Sequence, residues 1–443
     1  MKRAVSLVLL AVLLLSCMAC QPTPEEEIVN NRADGALAKA IDAEPAEAYT
    51  LEVPERWEET FEVRDQPVQI DAEVLVPDTD TYPVVTIAER DLTEEDAADF
   101  FKALFGEQVE VRQQLRSYNE LLEDLVLAER GTLYRGIDDE TGEVIYERDE
   151  EEITEIKELL ATTPVEDTYE VIGETFPIGE ERALKDADGN VWYGLYYNGG
   201  VTVADTRGGL IQLESWVLQG DATPGEESHA LENIQINQEE AIQVADAWIA
   251  KLGFGEFSLG LCDRARMVKG GGSHEITGEG YYLTYVRDIG GTVPFFYDYY
   301  TTAEGLKLEK GEDNYAPGWQ QEHIEIFITE KGMQCISWSD QKEEVETANK
   351  NVQLLSFEEI QDCVRNIISY SLTPGWFAGM DDALLITKMV LTTSIQRVAD
   401  QGEEAYMAPT WAILMTTENN EAHHIDTGVL LISAIDGSIV WRW

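Results

Sequence analysis

The sequence predicts an α+β fold in which antiparallel sheets carry packed helices. Three observations predict it. Five segments place apolar residues at helical spacing, other segments alternate apolar and polar residues with a period of two, and Gly-containing turn pairs separate the alternating segments as hairpins do. With 443 residues and 44% hydrophobic composition, the chain is long enough for two or three domains with cores of their own.

The first ordered block is expected over 49–163, an N-terminal α+β domain. "VQIDAEVLVP" and "YPVVTI" read as strands. "LTEEDAADFFKALFG" reads as a helix with Thr93 as N-cap and Asp96 three residues on. Its Ala97, Phe100, Phe101 and Leu104 share one face, and Gly106 ends it. "LRSYNELLEDLVLAERG" repeats the helical period through Leu115, Tyr118, Leu122 and Leu125, and "EEITEIKELLATTP" gives a third helix stopped by Pro164. Over 164–230 the period changes to two, with turns at Asp188-Gly189, Gly199-Gly200 and Gly208-Gly209, which predicts an antiparallel meander. "KDADGN" lacks the alternate acids, sixth-position Gly and twelfth-position Glu of a calcium loop, so it is read as a hairpin turn.

The last part of the chain carries a degenerate duplication, 231–345 and 346–443. "INQEEAIQVADAWIAKLG" opens with Asn237 as cap and Glu240 reaching back, with Ala241, Ala245, Trp248 and Leu252 on one face. "LSFEEIQDCVRNIISYSL" repeats this with Ser356, Glu359, Ile360, Val364 and Ile367. Strand-like segments follow each helix, and the closing ones compare as Ile328-Thr329 ahead of Gly332 and Ile432-Ser433 ahead of Gly437.

At the other end, Lys2 and Arg3 precede an apolar run from Ala4 to Leu15, of signal-peptide length and too short to span a bilayer. Leu14-Leu15-Ser16-Cys17 resembles the bacterial lipobox, in which cleavage precedes a cysteine that becomes lipidated. Cys20, preceded by Ala19, is the alternative anchor, and an ordinary cleaved secretory signal is the plainer reading. The expectation is therefore a signal peptide over 1–16, a lipid-anchored tether over 17–48, and an extracytoplasmic body held to the membrane by acyl chains. The formal charge of −55 becomes −57 once Lys2 and Arg3 are removed, which argues against nucleic acid and anionic headgroups as partners. Cys262, Cys335 and Cys363 allow at most one bridge among themselves and read as small buried side chains.

The two capped helices of the "EEA" type, the Pro-Trp strand at "APTW" and the closing "ISAIDGSIV" resemble PepSY-type modules. As a tandem pair they are similar to extracytoplasmic regulatory proteins of two-component systems, and the whole chain is similar to Gram-positive lipoproteins classed as a domain of unknown function. The resemblance covers about 231–443. It implies an α+β fold and a binding or regulatory role outside the membrane, and it brings no catalytic residues.

The residues themselves offer no catalytic constellation. HExxH and GxSxG are absent, and His229, His274, His323, His423 and His424 include no pair at helical ligand spacing. His423, His424 and Asp426 lie close in sequence, but alternation sends adjacent histidines to opposite faces of a strand. Ser339-Asp340-Gln341-Lys342 fits SxxK without its partner motifs and reads as loop. No metal and no cofactor is expected. Among possible ligand contacts the aromatic series stands out, with Tyr281, Tyr285, Phe296 and Tyr300 as candidates to stack on a sugar or a peptide. The expected function is thus non-enzymatic binding of an envelope protein or peptide partner. Solute or glycan binding is the alternative, and an enzyme of unrecognised type comes third.

Overall fold

The computed structural model describes residues 36–63, 66–131, 134–137, 144–146, 148–197, 199–205, 210–213, 231, 233–253, 256–268, 276–289, 320–371, 383–396, 404–417 and 428–442. Helix α1 (Ala36–Ile41) leads into strands β1 (Arg56–Val63), β2 (Gln66–Leu75) and β3 (Val84–Glu89). Next come α2 (Glu94–Phe105), β4 (Glu110–Arg112), α3 (Tyr118–Arg130), β5 (Tyr134–Ile137), β6 (Val144–Tyr146), α4 (Glu150–Thr162) and β7 (Tyr169–Val171). Strands β8 (Glu181–Lys185), β9 (Val191–Tyr197), β10 (Gly200–Ala204) and β11 (Leu210–Leu213) precede α5 (Gln238–Leu252). Strands β12 (Phe257–Val268), β13 (Ile276–Arg287), β14 (His323–Thr329), β15 (Gly332–Ser339) and β16 (Lys342–Asn349) lead to α6 (Phe357–Ser371). The chain closes with β17 (Leu384–Gln396), β18 (Glu404–Thr417), β19 (Gly428–Ser433) and β20 (Ile439–Arg442).

Two large, mostly antiparallel sheets with packed helices make this an α+β fold. The described residues divide into two compact units. Unit 1 takes those up to Ala88 and from Glu344 onward; unit 2 takes Glu89 to Ile289 and Gln320 to Glu343. The expected 49–163 block is therefore shared between them. Its first strands pair with the end of the chain: β2 runs parallel to β17, with Ile70 opposite Ile386, while β1 pairs antiparallel on its far side.

In unit 1 the strand order is β1-β2-β17-β18-β19-β20, with β3 against β18 and β16 against β3. Helix α6 starts where expected, because Ser356 and Glu359 satisfy each other's backbone N–H groups at 3.3 and 2.8 Å. Its Ile360, Val364 and Ile367 are fully buried against the sheet, each side chain contributing about 1.5–3 kcal/mol. The expected tether is corrected here. From Ala36 onward the segment is folded, since Leu37 and Ile41 sit one turn apart in the unit 1 core. Behind them Asn349 donates to the carbonyls of Ile41 and Ala43, and Asn351 to those of Ala46 and Glu47. Two short apolar residues and four carbonyls are enough to dock a stretch whose composition looks like linker.

In unit 2 the order is β11-β12-β13-β14-β15-β10-β9-β8-β4-β7. Helix α2 is capped as expected by Thr93 and Asp96, and Ala97, Phe100, Phe101 and Leu104 are all fully buried. The expected face of α3 shifts. A capping box between Ser117 and Glu120 starts the helix at Tyr118, so the inward stripe is Leu121 and Ala128, both buried, with Leu125 partly buried between them, while Leu115 precedes the helix and Leu122 is exposed. The meander is β8-β9-β10 only. Strand β11 leaves it for the outer edge of β12, because the free edge of β10 is taken by β15. At the β8–β9 turn both oxygens of Asp186 are occupied by the turn itself, accepting from Asp188 N, Asn190 N, Asn190 Nδ2 and Trp192 Nε1 at 2.8–3.1 Å. That is the hairpin reading of "KDADGN".

Helix α5 is followed by four neighbouring strands in the order β12-β13-β14-β15, and α6 by β17-β18-β19-β20. Both leading hairpins carry a register break near the start of their first strand, at Leu259/Leu261 and at Ile386/Lys388. Both closing turns use a left-handed glycine, Gly332 (φ 100°) and Gly437 (φ 72°), a backbone conformation side chains avoid.

Candidate functional site

The unit 2 sheet has two unlike faces. On one, Tyr196, Val201, Leu283, Tyr285, Ile324, Ile326, Ile336 and Trp338 form a core with α2 and α5. The cross-strand register then sets the other face by alternation. One row across the sheet is Val286, His323, Ser339, Gly200 and Tyr197, and the next is Thr284, Glu325, Ser337, Thr202 and Leu195. The alternation of "HIEIFIT" and "CISWS" thus sends Ile and Trp into the core and His, Glu and Ser to the opposite side.

These polar side chains are joined. Tyr197 OH lies 3.1 Å from Ser339 Oγ, and Ser337 Oγ donates to Glu325 Oε2 at 3.2 Å. Gly200 makes the first contact possible, since a Cβ there would fall 2.6 Å from the Tyr197 hydroxyl. His323 is 2% exposed, and its Nδ1 lies 2.8 Å from the Gln321 carbonyl. A carbonyl can only accept, so Nδ1 carries the proton. The imidazole stands between two carboxylates: Nδ1 is 3.8 Å from Asp340 Oδ2, and Nε2 is 3.9 Å from Glu325 Oε1.

Asp340 is the described residue other than glycine with a left-handed backbone, at φ 58°. Its turn is fixed from several sides. Asp340 N donates to Gly199 O, Arg90 N to Gln341 O, and Lys342 N to Glu322 Oε2. Arg287 bridges Glu322 and the Lys342 carbonyl at 2.7 and 2.9 Å, and Trp338 Nε1 donates to Glu322 at 2.9 Å. Asp adopts this conformation more readily than most side chains, and the surrounding bonds fix it here. Burial pushes the Asp340 carboxyl above the usual carboxylate range, with Glu325 and Glu322 adding to the shift and His323 and Lys342 opposing it. Burial also lowers the Lys342 ammonium, which donates to the Asp340 carbonyl at 2.6 Å. The SxxK residues therefore lie on the β15–turn–β16 passage, as the loop reading expects.

A second feature lies at the α3–α4 hairpin, whose own small core is Leu121, Ala128, Ile153 and Ile156. Beside it a groove of about 400 Å³ is lined by Leu115, Leu121, Ile156 and Leu159 together with Arg116 and Glu155. Leu115 is 50% exposed and Leu159 48%, so the apolar lining is open to solvent.

Of the aromatics singled out in the sequence, Tyr285 is corrected. It is 2% exposed in the core, and its hydroxyl donates to Asp246 Oδ1 at 2.7 Å, which leaves it no ligand to stack on. Tyr281 packs partly buried on the same core. Phe296 and Tyr300 lie outside the described residues, as do Cys17, Cys20, His229, His274, His423, His424 and Asp426. Among the described residues no group of three His, Cys, Asp or Glu is arranged to hold a metal ion. Cys262, Cys335 and Cys363 are free thiols, and burial raises them to about 11, 12 and 11, which leaves little thiolate at neutral pH.

No protein-family model matches this chain. No curated protein matches it either. Among solved structures it is similar to an uncharacterised protein from Eubacterium rectale ATCC 33656, at 11% identity and a TM-score of 0.46, over 93% of this chain and 99% of that one.

Proposed function

We propose that the protein is a lipid-anchored, extracytoplasmic protein of non-enzymatic binding or regulatory role that engages a protein or peptide partner at the cell envelope. The groove beside α3 and α4 carries this reading. Leu115 and Leu159 are half-exposed in the lining of a concavity, where an apolar side chain of a partner would be covered. Glu152 and Glu155 line it, Arg116 in the same lining is paired with Asp124 at 3.1 Å, and α4 opens with Glu150, Glu151 and Glu152, so the occupant it fits is an apolar side chain flanked by Lys or Arg. A helix followed by four neighbouring strands in each unit supports reading the two as a tandem pair, which is what the PepSY resemblance supposes.

Replacing Leu115 and Leu159 together by Glu is expected to abolish recovery of a cross-linked partner from intact envelopes. The unfolding midpoint of the purified protein should hardly move, because both residues are already half in water. Unchanged recovery, or hydrolytic activity in the purified protein, would overturn the reading. For the anchor, Cys17→Ala should remove labelling by a fatty-acid probe and leave a precursor, while Cys20→Ala should still label. The reverse pattern would move the anchor to Cys20, and an unlabelled wild type would remove the lipid.

A second reading, solute binding, draws on the polar sheet face around His323 instead of the tyrosine-rich strands.

A further inference from the structure

The groove beside α3 and α4 follows one face of a helix. Its α4 wall is Glu152, Glu155, Ile156, Leu159 and Thr163, spaced by three or four residues and so stacked along one side of α4. At about 1.5 Å per residue, that wall is roughly 16 Å long. The other wall is the extended segment Gln114 to Arg116 that leads into α3, continued by Leu121. Leu121 and Ile156 also belong to the small core of the hairpin, so an apolar group seated here would enlarge that core.

The backbone of these walls decides the form of an occupant. Arg182 Nη1 donates to the carbonyls of Arg112 and Gln113 at 3.5 and 3.1 Å, and Arg112 donates to those of Gln114 and Leu115 at 3.0 and 3.1 Å. Gln113 N donates to Thr168 O, and Pro164 in the lining has no N–H to offer. Along α4 most N–H and C=O groups are spent within the helix. The extended wall is thus a poor template for an added strand, whose own N–H and C=O groups would be covered unmatched. A helix brings those groups already satisfied and presents only side chains to the groove.

The charge here has one sign. Glu152 and Glu155 stand in the lining, and Arg116, its cation, is paired with Asp124. Helix α4 has three acids in its first turn and no basic residue in its last, so the partial negative charge of its C-terminal carbonyls meets no cation from this helix. We propose, on the reading that this groove docks a partner, that the occupant is a cationic amphipathic helix lying along α4. About three turns match the length of the wall. Apolar residues at helical spacing face Leu115, Ile156 and Leu159, and Lys or Arg beside them face Glu152 and Glu155.

Fluorescence anisotropy of labelled peptides added to the full chain tests this at matched ionic strength. The first probe is an end-blocked peptide of about four turns, with Leu at helical spacing and Lys elsewhere. The second has the same composition with Leu and Lys alternating, and the third keeps the helical spacing with Glu for Lys. The first is expected to bind saturably, roughly tenfold tighter than the others, and to weaken as salt is raised. Leu115→Glu combined with Leu159→Glu should weaken it about tenfold, as removing a central apolar contact does. That double variant adds negative charge, so general attraction of a basic peptide to an acidic chain would move the other way. Binding that is unchanged or stronger in the double variant would overturn the site. Equal binding of the alternating peptide would overturn the helix, and equal binding of the acidic one the cation, each leaving a docked partner intact. If no peptide binds while the double variant still loses its cross-linked envelope partner, the cationic helix fails and the docking reading stands. If the partner is unaffected as well, both fall.

Discussion

Glu120→Ala is expected to destabilise unit 2 by roughly 3–5 kcal/mol, the cost of stranding a buried cation. Arg112 is 3% exposed, and its guanidinium donates to both carboxylate oxygens of Glu120, at 2.8 and 3.2 Å. The same carboxylate caps α3 by accepting from Ser117 N at 2.7 Å and receives the Tyr193 hydroxyl at 3.0 Å. Asp167, 3.6 Å from Arg112, offsets part of the loss. Burial works against ionisation of Glu120, but the hydrogen bonds from Arg112, Ser117 and Tyr193 outweigh it and hold the carboxyl below the usual range. The sign follows from linkage. A depressed folded-state value contributes stability that is complete above the unfolded value, about 4.3, and is lost as pH falls through the folded one. Urea unfolding at pH 7 and at pH 3 measures both parts. A gap between wild type and Glu120→Gln that fails to narrow at the lower pH would show that the ion pair is not its source.

Trp411→Ala should cost unit 1 a similar amount, about 3–5 kcal/mol, through the cavity it leaves. Trp411 is fully buried, and its ring meets Phe357 at 5.6 Å, which in turn meets Trp57 edge-on at 6.2 Å. These contacts tie α6 and β1 to the middle of the sheet. Yet Trp411 Nε1 is buried with no acceptor, a group that burdens the folded state. Trp411→Phe removes that burden with part of the volume, so its cost should fall well below that of the alanine variant. Equal costs for the two would show that the lost volume does not set the cost.

Much of the architecture was legible because it rests on local rules. Thr93 with Asp96, Asn237 with Glu240 and Ser356 with Glu359 mark helix starts by side-chain chemistry three residues apart, and all three pairs form. What escaped depends on distant partners. Nothing near Gln66 announces that β2 lies alongside β17, and nothing in "ALAKAI" shows that Asn349 and Asn351 receive the residues after it. The polar face was half visible. "HIEIFIT" and "CISWS" alternate cleanly, but alternation alone does not say which strands become neighbours, and only that neighbourhood puts Glu325, His323 and Ser339 side by side. Tyr285 misled for the converse reason. A tyrosine beside other tyrosines suggests a binding surface until a helix supplies Asp246 for its hydroxyl.

The parallel pairing of β2 with β17 has a consequence for the order of assembly. A strand near residue 70 waits for a partner some three hundred residues later, and the entropy lost on closing so long a loop must be met before the contact returns anything. During synthesis, the hairpin of β1 and β2 exists long before its neighbour, with one edge unsatisfied. Most of the intervening chain belongs to unit 2, whose pairings are complete by Glu343. Unit 2 can therefore mature while unit 1 is still open, and the last hundred residues close a sheet that the first hundred began.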